Sequence, residues 1–182
     1  MKSTKHLFKT QAALFAGFLV ATLGAGCVTP GGGGTELFNG KNLDGWEVTD
    51  FAGGGAIKVK DGEIHMAMGE LISGINLAHE NIPRTNYELE AEAMKLDGND
   101  FFCGLTFPVG DTFASFIPGG WGGTVVGLSS IDGMDAAENE TATFKQFKTH
   151  QWYHFRVRVT PGKIQCWVDD EMVVDLLLED RA

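Results

Sequence analysis

Between Gly119 and Glu140 the chain reads GGWGGTVVGLSSIDGMDAAENE. Four acids, Asp132, Asp135, Glu138 and Glu140, fall close together there, with Ser129, Ser130 and Asn139 among them. Carboxylates grouped in this way bind hydroxyls, hold a cation such as Ca2+, or move protons. Upstream, Trp121 stands between two glycine pairs. Glycine has no side chain to hold a ligand away from the backbone, so an exposed Trp in that setting is a natural stacking plate for a sugar ring. The plain alternative is a Gly-rich hairpin with a core Trp and a solvated acidic loop. The candidates for proton transfer are Asp132, Asp135 and Glu138, with Trp121 as platform. The spacing D-x-x-D-x-x-E-x-E differs from the D-x-D-x-D-G of an EF-hand, which excludes that kind of calcium loop and leaves open a looser divalent-cation site.

Further candidates come from strand alternation. Trp152 to Thr160, WYHFRVRVT, puts Phe155, Val157 and Val159 on one face and His154, Arg156 and Arg158 on the other. In the hairpin that follows, Trp167 faces away from Ile164, Cys166 and Val168. Trp167, His154 and Arg156 are therefore candidate sugar contacts, against the simpler reading that they are exposed strand residues. Asp100 and Asp111 bracket the segment FFCGLTF, as turn residues or as the rims of a cleft. Asp100 is kept as a candidate contact. His65 and His79 are isolated histidines, a type more often structural than catalytic.

The elements that must position these side chains read as β-strands. Ala56 to Lys60 and Glu63 to Met68 flank Asp61-Gly62, a hairpin turn signal. Tyr87 to Met94, YELEAEAM, alternates strictly, with Glu88, Glu90 and Glu92 opposite Tyr87, Leu89, Ala91 and Ala93. Period two over that length predicts a half-buried antiparallel strand. Strands are also expected at Phe101 to Phe107, Thr112 to Ile117, Thr124 to Ser129, Lys163 to Asp169 and Glu171 to Leu178. No stretch has a convincing helical period. Short strands with regular turns predict an all-β sandwich or jelly roll in one domain.

The first residues read differently. Lys2, Lys5 and Lys9 precede an apolar run, Ala12 to Ala25, of the length of a signal-peptide core and short for a membrane span. Cys27 follows LGAG, similar to a bacterial lipobox although Gly24 stands where Leu is usual. The expected organisation is a leader over 1–26, lipidation at Cys27, a Gly-rich tether over 27–35 and a domain over 36–182. This predicts an exported, periplasmic or surface lipoprotein, held to the membrane through its lipid. Beyond the leader the chain carries 11 Lys+Arg against 24 Asp+Glu, which opposes nucleic acid as a partner. Cys103 and Cys166 are compatible with a disulfide in an exported protein, or with two buried thiols.

With these residues in view, the chain resembles the 3-keto-disaccharide hydrolase domain family. LFNGKNLDGWEV (37–48) is similar to that family's opening signature, and IKVKDGEIHM (57–66) to its second element. YELEAEAMKLDGNDFFCGLTF resembles its central strand pair, and WYHFRVRVTPGKIQCWVDDEMVVD (152–175) its C-terminal signature. The resemblance implies a concanavalin A-like lectin/glucanase fold, two antiparallel sheets with a sugar on the concave side. It also implies cleavage of glycosides oxidised at C3, as a hydrolase or lyase, or sugar binding without turnover in a lectin-like module. A C3 ketone acidifies the C2 proton; a base removes it, the C1 substituent leaves, and water adds to the double bond. Two features depart from the family pattern. GNDFFCGLTF lacks an Arg often found there. The sequence also stops at Asp180-Arg181-Ala182, where relatives run on into a strand beside the N-terminal one, so an open sheet edge is expected.

Overall fold

The computed structural model describes residues 5–9, 34–78 and 81–179. Cys27 and most of the expected leader and tether lie outside them, as does His79. Three antiparallel sheets form. The largest has the order β13-β12-β11-β6-β1-β4-β3. Its strands are β1 (Lys5–Lys9), β3 (Ile57–Lys60), β4 (Glu63–Ala67), β6 (Tyr87–Lys95), β11 (Trp152–Val159), β12 (Lys163–Val168) and β13 (Glu171–Leu177). The second, of order β10-β9-β8-β7, contains β7 (Leu105–Val109), β8 (Thr112–Gly119), β9 (Val125–Ser129) and β10 (Thr143–Phe144). A short ribbon pairs β2 (Trp46–Val48) with β5 (Ile75–Leu77). The two main sheets pack into the sandwich expected of a jelly roll.

Alternation dictates which face goes inside. On β6, Tyr87, Ala91 and Ala93 are buried while Glu88, Glu90 and Glu92 are half-buried. β11 repeats the pattern, and the register sets Phe155 opposite Ala91 and Arg156 opposite Glu90. Every second residue of the pair therefore enters the core together. The core between the sheets joins Phe155, Val157, Ile164 and Val174 of the large sheet to Phe107, Phe116, Val126 and Leu128 of the small one. Around Phe155, the rings of Phe102, Phe116 and Phe147 lie 5.9 to 6.3 Å away in tilted or edge-on contact. A second cluster of Phe38, Ile64 and Met66 sits under the N-terminal hairpin. The Asp61-Gly62 turn is formed, both residues having positive φ (54° and 81°), as a tight hairpin demands.

One expectation needed revision and one open alternative is settled. The strand expected from Phe101 begins only at Leu105. Phe102 and Cys103 are consecutive and both buried, which period two forbids, and the irregular segment Phe101–Gly104 carries the chain from one sheet to the other. Cys103 and Cys166 are free. Each is fully enclosed in the core, and burial pushes both thiols well above their ordinary range. Only the thiolate is nucleophilic, so both are expected to resist alkylation in the folded chain and to react once denaturant is added. Mass spectrometry after a short iodoacetamide pulse checks this; modification at the same rate with and without denaturant would contradict the packing.

Candidate functional site

The outward face of the large sheet gathers charge. β6 presents Glu88, Glu90 and Glu92, and the neighbouring β11 presents Arg158, Arg156 and His154 opposite them in register. β12 brings Trp167 opposite Arg156. A register shift between Cys166 and Trp167 breaks the β12–β13 ladder at this point. Such bulges re-aim a side chain and are frequent beside functional sites.

The contacts on this face are directional. The Arg156 guanidinium lies 4.2 Å from the centre of the Trp167 ring, and that of Arg158 5.4 Å from it. Arg158 is tied to Glu88 by a hydrogen-bonded ion pair. His154 Nε2 lies 3.6 Å from Glu90 Oε2. The backbone of His154 is gripped by Asp169: its N–H donates to Asp169 Oδ1 (2.9 Å), and its carbonyl accepts from the Asp169 N–H (2.7 Å). No acceptor among the described residues takes a hydrogen bond from the Arg156 guanidinium, which is oriented by stacking alone. A planar cation fixed on an indole, with its donor fork unspent, suits an oxygen of a ligand that carries or develops negative charge.

The sequence offered Trp167 as a sugar plate. Trp167 is 9% exposed, because the two arginines cover it. Its role on this face is to hold Arg156. Trp121 is the more open of the two tryptophans, at 48% exposure. It lies in a short turn, Gly120–Gly123, with φ of 48°, a left-handed conformation uncommon for a residue with a side chain. The turn rests on the loop that carries Asp100: a Cβ on Gly123 would meet the Asn99 carbonyl oxygen at 2.9 Å. Asp100 itself is exposed, and its Oδ1 accepts from the N–H of Phe101 (2.7 Å). The turn that carries Trp121 thus lies against the Asp97–Asp100 loop, at the end of the sandwich where β6 ends and β11 begins.

Asp132, Asp135 and Glu138 are placed elsewhere. The turn with Trp121 precedes β9 and the acidic loop follows it, separated by a five-residue strand, about 16 Å. Ser130 and Ile131, at the start of the loop, share a cavity with Val159, Thr160 and Ile164 at the opposite end of the large sheet. All four acids, Glu140 included, are exposed. Asn139 organises the loop: its Nδ2 donates to the carbonyls of Leu128 (2.7 Å) and Asp135 (2.9 Å), and its Oδ1 accepts from the Thr141 N–H and hydroxyl. Among the described residues no three His, Cys, Asp or Glu side chains group as a metal site. Reasoning from density of acids missed Glu88, Glu90 and Arg158. Their signal was present in the opposed charges of two alternating strands; the register that joins them was not. His65 is a partly enclosed strand residue, 3.6 Å from Glu63 Oε2.

A family model described as a 3-keto-alpha-glucoside-1,2-lyase-like domain matches residues 33–182. The chain belongs to that family. Searches among curated proteins and among solved structures returned no match. Membership makes the chain carbohydrate-active in the general sense.

Proposed function

We propose that this chain cleaves 3-keto-glycosides by elimination across C1 and C2, on the face formed by β6, β11 and β12. A carboxylate or imidazole of the Glu90–His154 pair takes the C2 proton. The C–H electron pair moves into C2–C3, and the C3 carbonyl oxygen becomes an enolate held by Arg156. The enolate re-forms the ketone and expels the C1 substituent, whose oxygen takes up a proton. The product is a C1=C2 enone, released as such in a lyase, or hydrated to the 3-keto sugar in a hydrolase. The observation that carries this reading is the Arg156 guanidinium, stacked on Trp167 with no hydrogen-bond acceptor among the described residues, within one strand pair of a base. Its setting is an exported lipoprotein, anchored through Cys27, that meets oxidised glycosides outside the cytoplasm.

A chromogenic 3-keto-glucoside tests the reading: the purified chain releases the aglycone, and absence of release refutes it. The acidic loop is the rival location for proton transfer. Replacing Asp132 and Asp135 with Asn and Glu138 with Gln together is expected to leave the rate within about twofold, as for exposed charges remote from the reacting atoms. A loss of more than about tenfold would move the chemistry to that loop. A second reading, sugar binding without turnover, is favoured by the exposure of Trp121 on a turn that lies against the loop carrying Asp100. Calorimetric binding of a 3-keto-glucoside, lost in Trp121→Ala and unaccompanied by product, would select it.

A further inference from the structure

A cavity of about 580 Å3 lies beside β6, on the side away from β11. Its inner walls are Ile64 and Met66 of β4, Leu89 and Ala91 of β6, and Leu105 and Phe107 of β7. That is the size of a pocket for a small organic molecule. The walls belong to separate apolar groups. Ile64 and Met66 are in the smaller cluster, and Leu89, Leu105 and Phe107 are in or against the core between the sheets. Apolar side chains that face a void forgo dispersion contacts, so an apolar occupant is stabilised there. An occupant rich in hydroxyls would give up its hydrogen bonds to water and find no partners on these six side chains.

The cavity also reaches the charged face. β1 pairs with β6 only from Glu92 to Lys95, so among the described residues no strand covers the Glu88–Ala91 part of β6 on that side. Glu88 lines the cavity, and its carboxylate is ion-paired with Arg158 on the charged face. Glu90 is the next outward residue along the same strand, about 7 Å from Glu88.

We infer that this cavity is the aglycone subsite, and that it takes an aromatic or extended alkyl group attached through C1 of the 3-keto sugar in preference to a second sugar. With the sugar ring at Glu90 and Arg156, the C1 substituent passes Glu88 and enters beside Leu89. The inference rests on the proposed reaction for the placement of the sugar, and on the cavity walls alone for the class of substituent. Contacts in the cavity are remote from the bonds that change, so they bind ground state and transition state alike. They therefore lower KM and leave kcat almost unaltered.

Two 3-keto-glucosides with the same kind of leaving group, ethyl and naphthylethyl, separate binding in the cavity from leaving-group chemistry. The naphthylethyl glycoside is expected to show a kcat/KM at least about tenfold higher, carried by KM, as burial of so much apolar surface implies. Leu89→Phe puts extra bulk into the cavity and should cut that advantage at least about fivefold. Naphthylethanol alone gives a readout without turnover. It should bind the parent chain in a fluorescence titration, raise its melting temperature, and bind Leu89→Phe at least about fivefold more weakly. Equal kcat/KM for the two glycosides, with no binding of naphthylethanol, overturns the inference and leaves the reaction standing. An advantage undiminished in folded Leu89→Phe puts the aglycone elsewhere and overturns it too. Binding of naphthylethanol with neither glycoside cleaved refutes the reaction and leaves the cavity's apolar ligand class standing.

Discussion

Arg156→Ala is expected to lower kcat/KM toward a 3-keto-glucoside by about 100- to 1000-fold, the size of losing one preorganised donor to a developing oxyanion. The loss should fall on kcat, because the enolate charge exists only along the reaction coordinate. Arg156→Lys separates charge from geometry. A lysine keeps the positive charge but has no planar fork to lie on Trp167, so about tenfold or more of the activity should still be lost. Since Arg156 is a half-buried surface residue, both variants should melt close to the parent. Equal activity in all three proteins would remove Arg156 from the mechanism, whatever the family membership implies.

The second large effect is on stability. Phe155→Ala is expected to cost about 3–5 kcal/mol, the range for deleting a fully buried aromatic side chain. Phe155 is 0% exposed, and its ring touches residues from both sheets and from the segments that join them. In a domain of this size the midpoint should fall by about 10 °C or more. The side chain lies between His154 and Arg156 in the strand, on the opposite face, so the same packing that stabilises the sandwich fixes the spacing of the two site residues. A thermal melt checks it. A shift of under about 1 kcal/mol would mean that the site collapses around the void, or that the β11 register differs.

Much of the sandwich was legible in the sequence because period two is a local property. Glu88, Glu90 and Glu92 against Tyr87, Ala91 and Ala93 announce a one-sided strand from their own order, and the same holds for Trp152–Val159. The segment Phe101–Gly104 was misread for the same reason: four apolar or small residues in a crossover mimic a strand, and only the tertiary crossing explains why Phe102 and Cys103 are both buried. The pairing of strands distant in sequence is not local. Nothing in either strand alone shows that Arg156 faces Glu90, or that Trp167 would be spent as a support for arginine. The site reading from sequence accordingly favoured the densest acids, which form a solvated loop ordered by Asn139 at the far end of β9. Of the two readings the sequence left open for Trp121, the exposed one holds, and its proximity to the Asp100 loop came from the fold.

The most direct test of the proposed reaction is to run it in deuterium oxide and read the sugar product at early times by mass spectrometry and NMR. Elimination removes the C2 proton, so the product should be either the enone, without hydrogen at C2, or a 3-keto sugar carrying one deuterium at C2 from hydration. A parallel sample of authentic 3-keto sugar in the same solvent sets the background exchange. A product that keeps its original C2 proton would contradict the mechanism and point to direct displacement at C1.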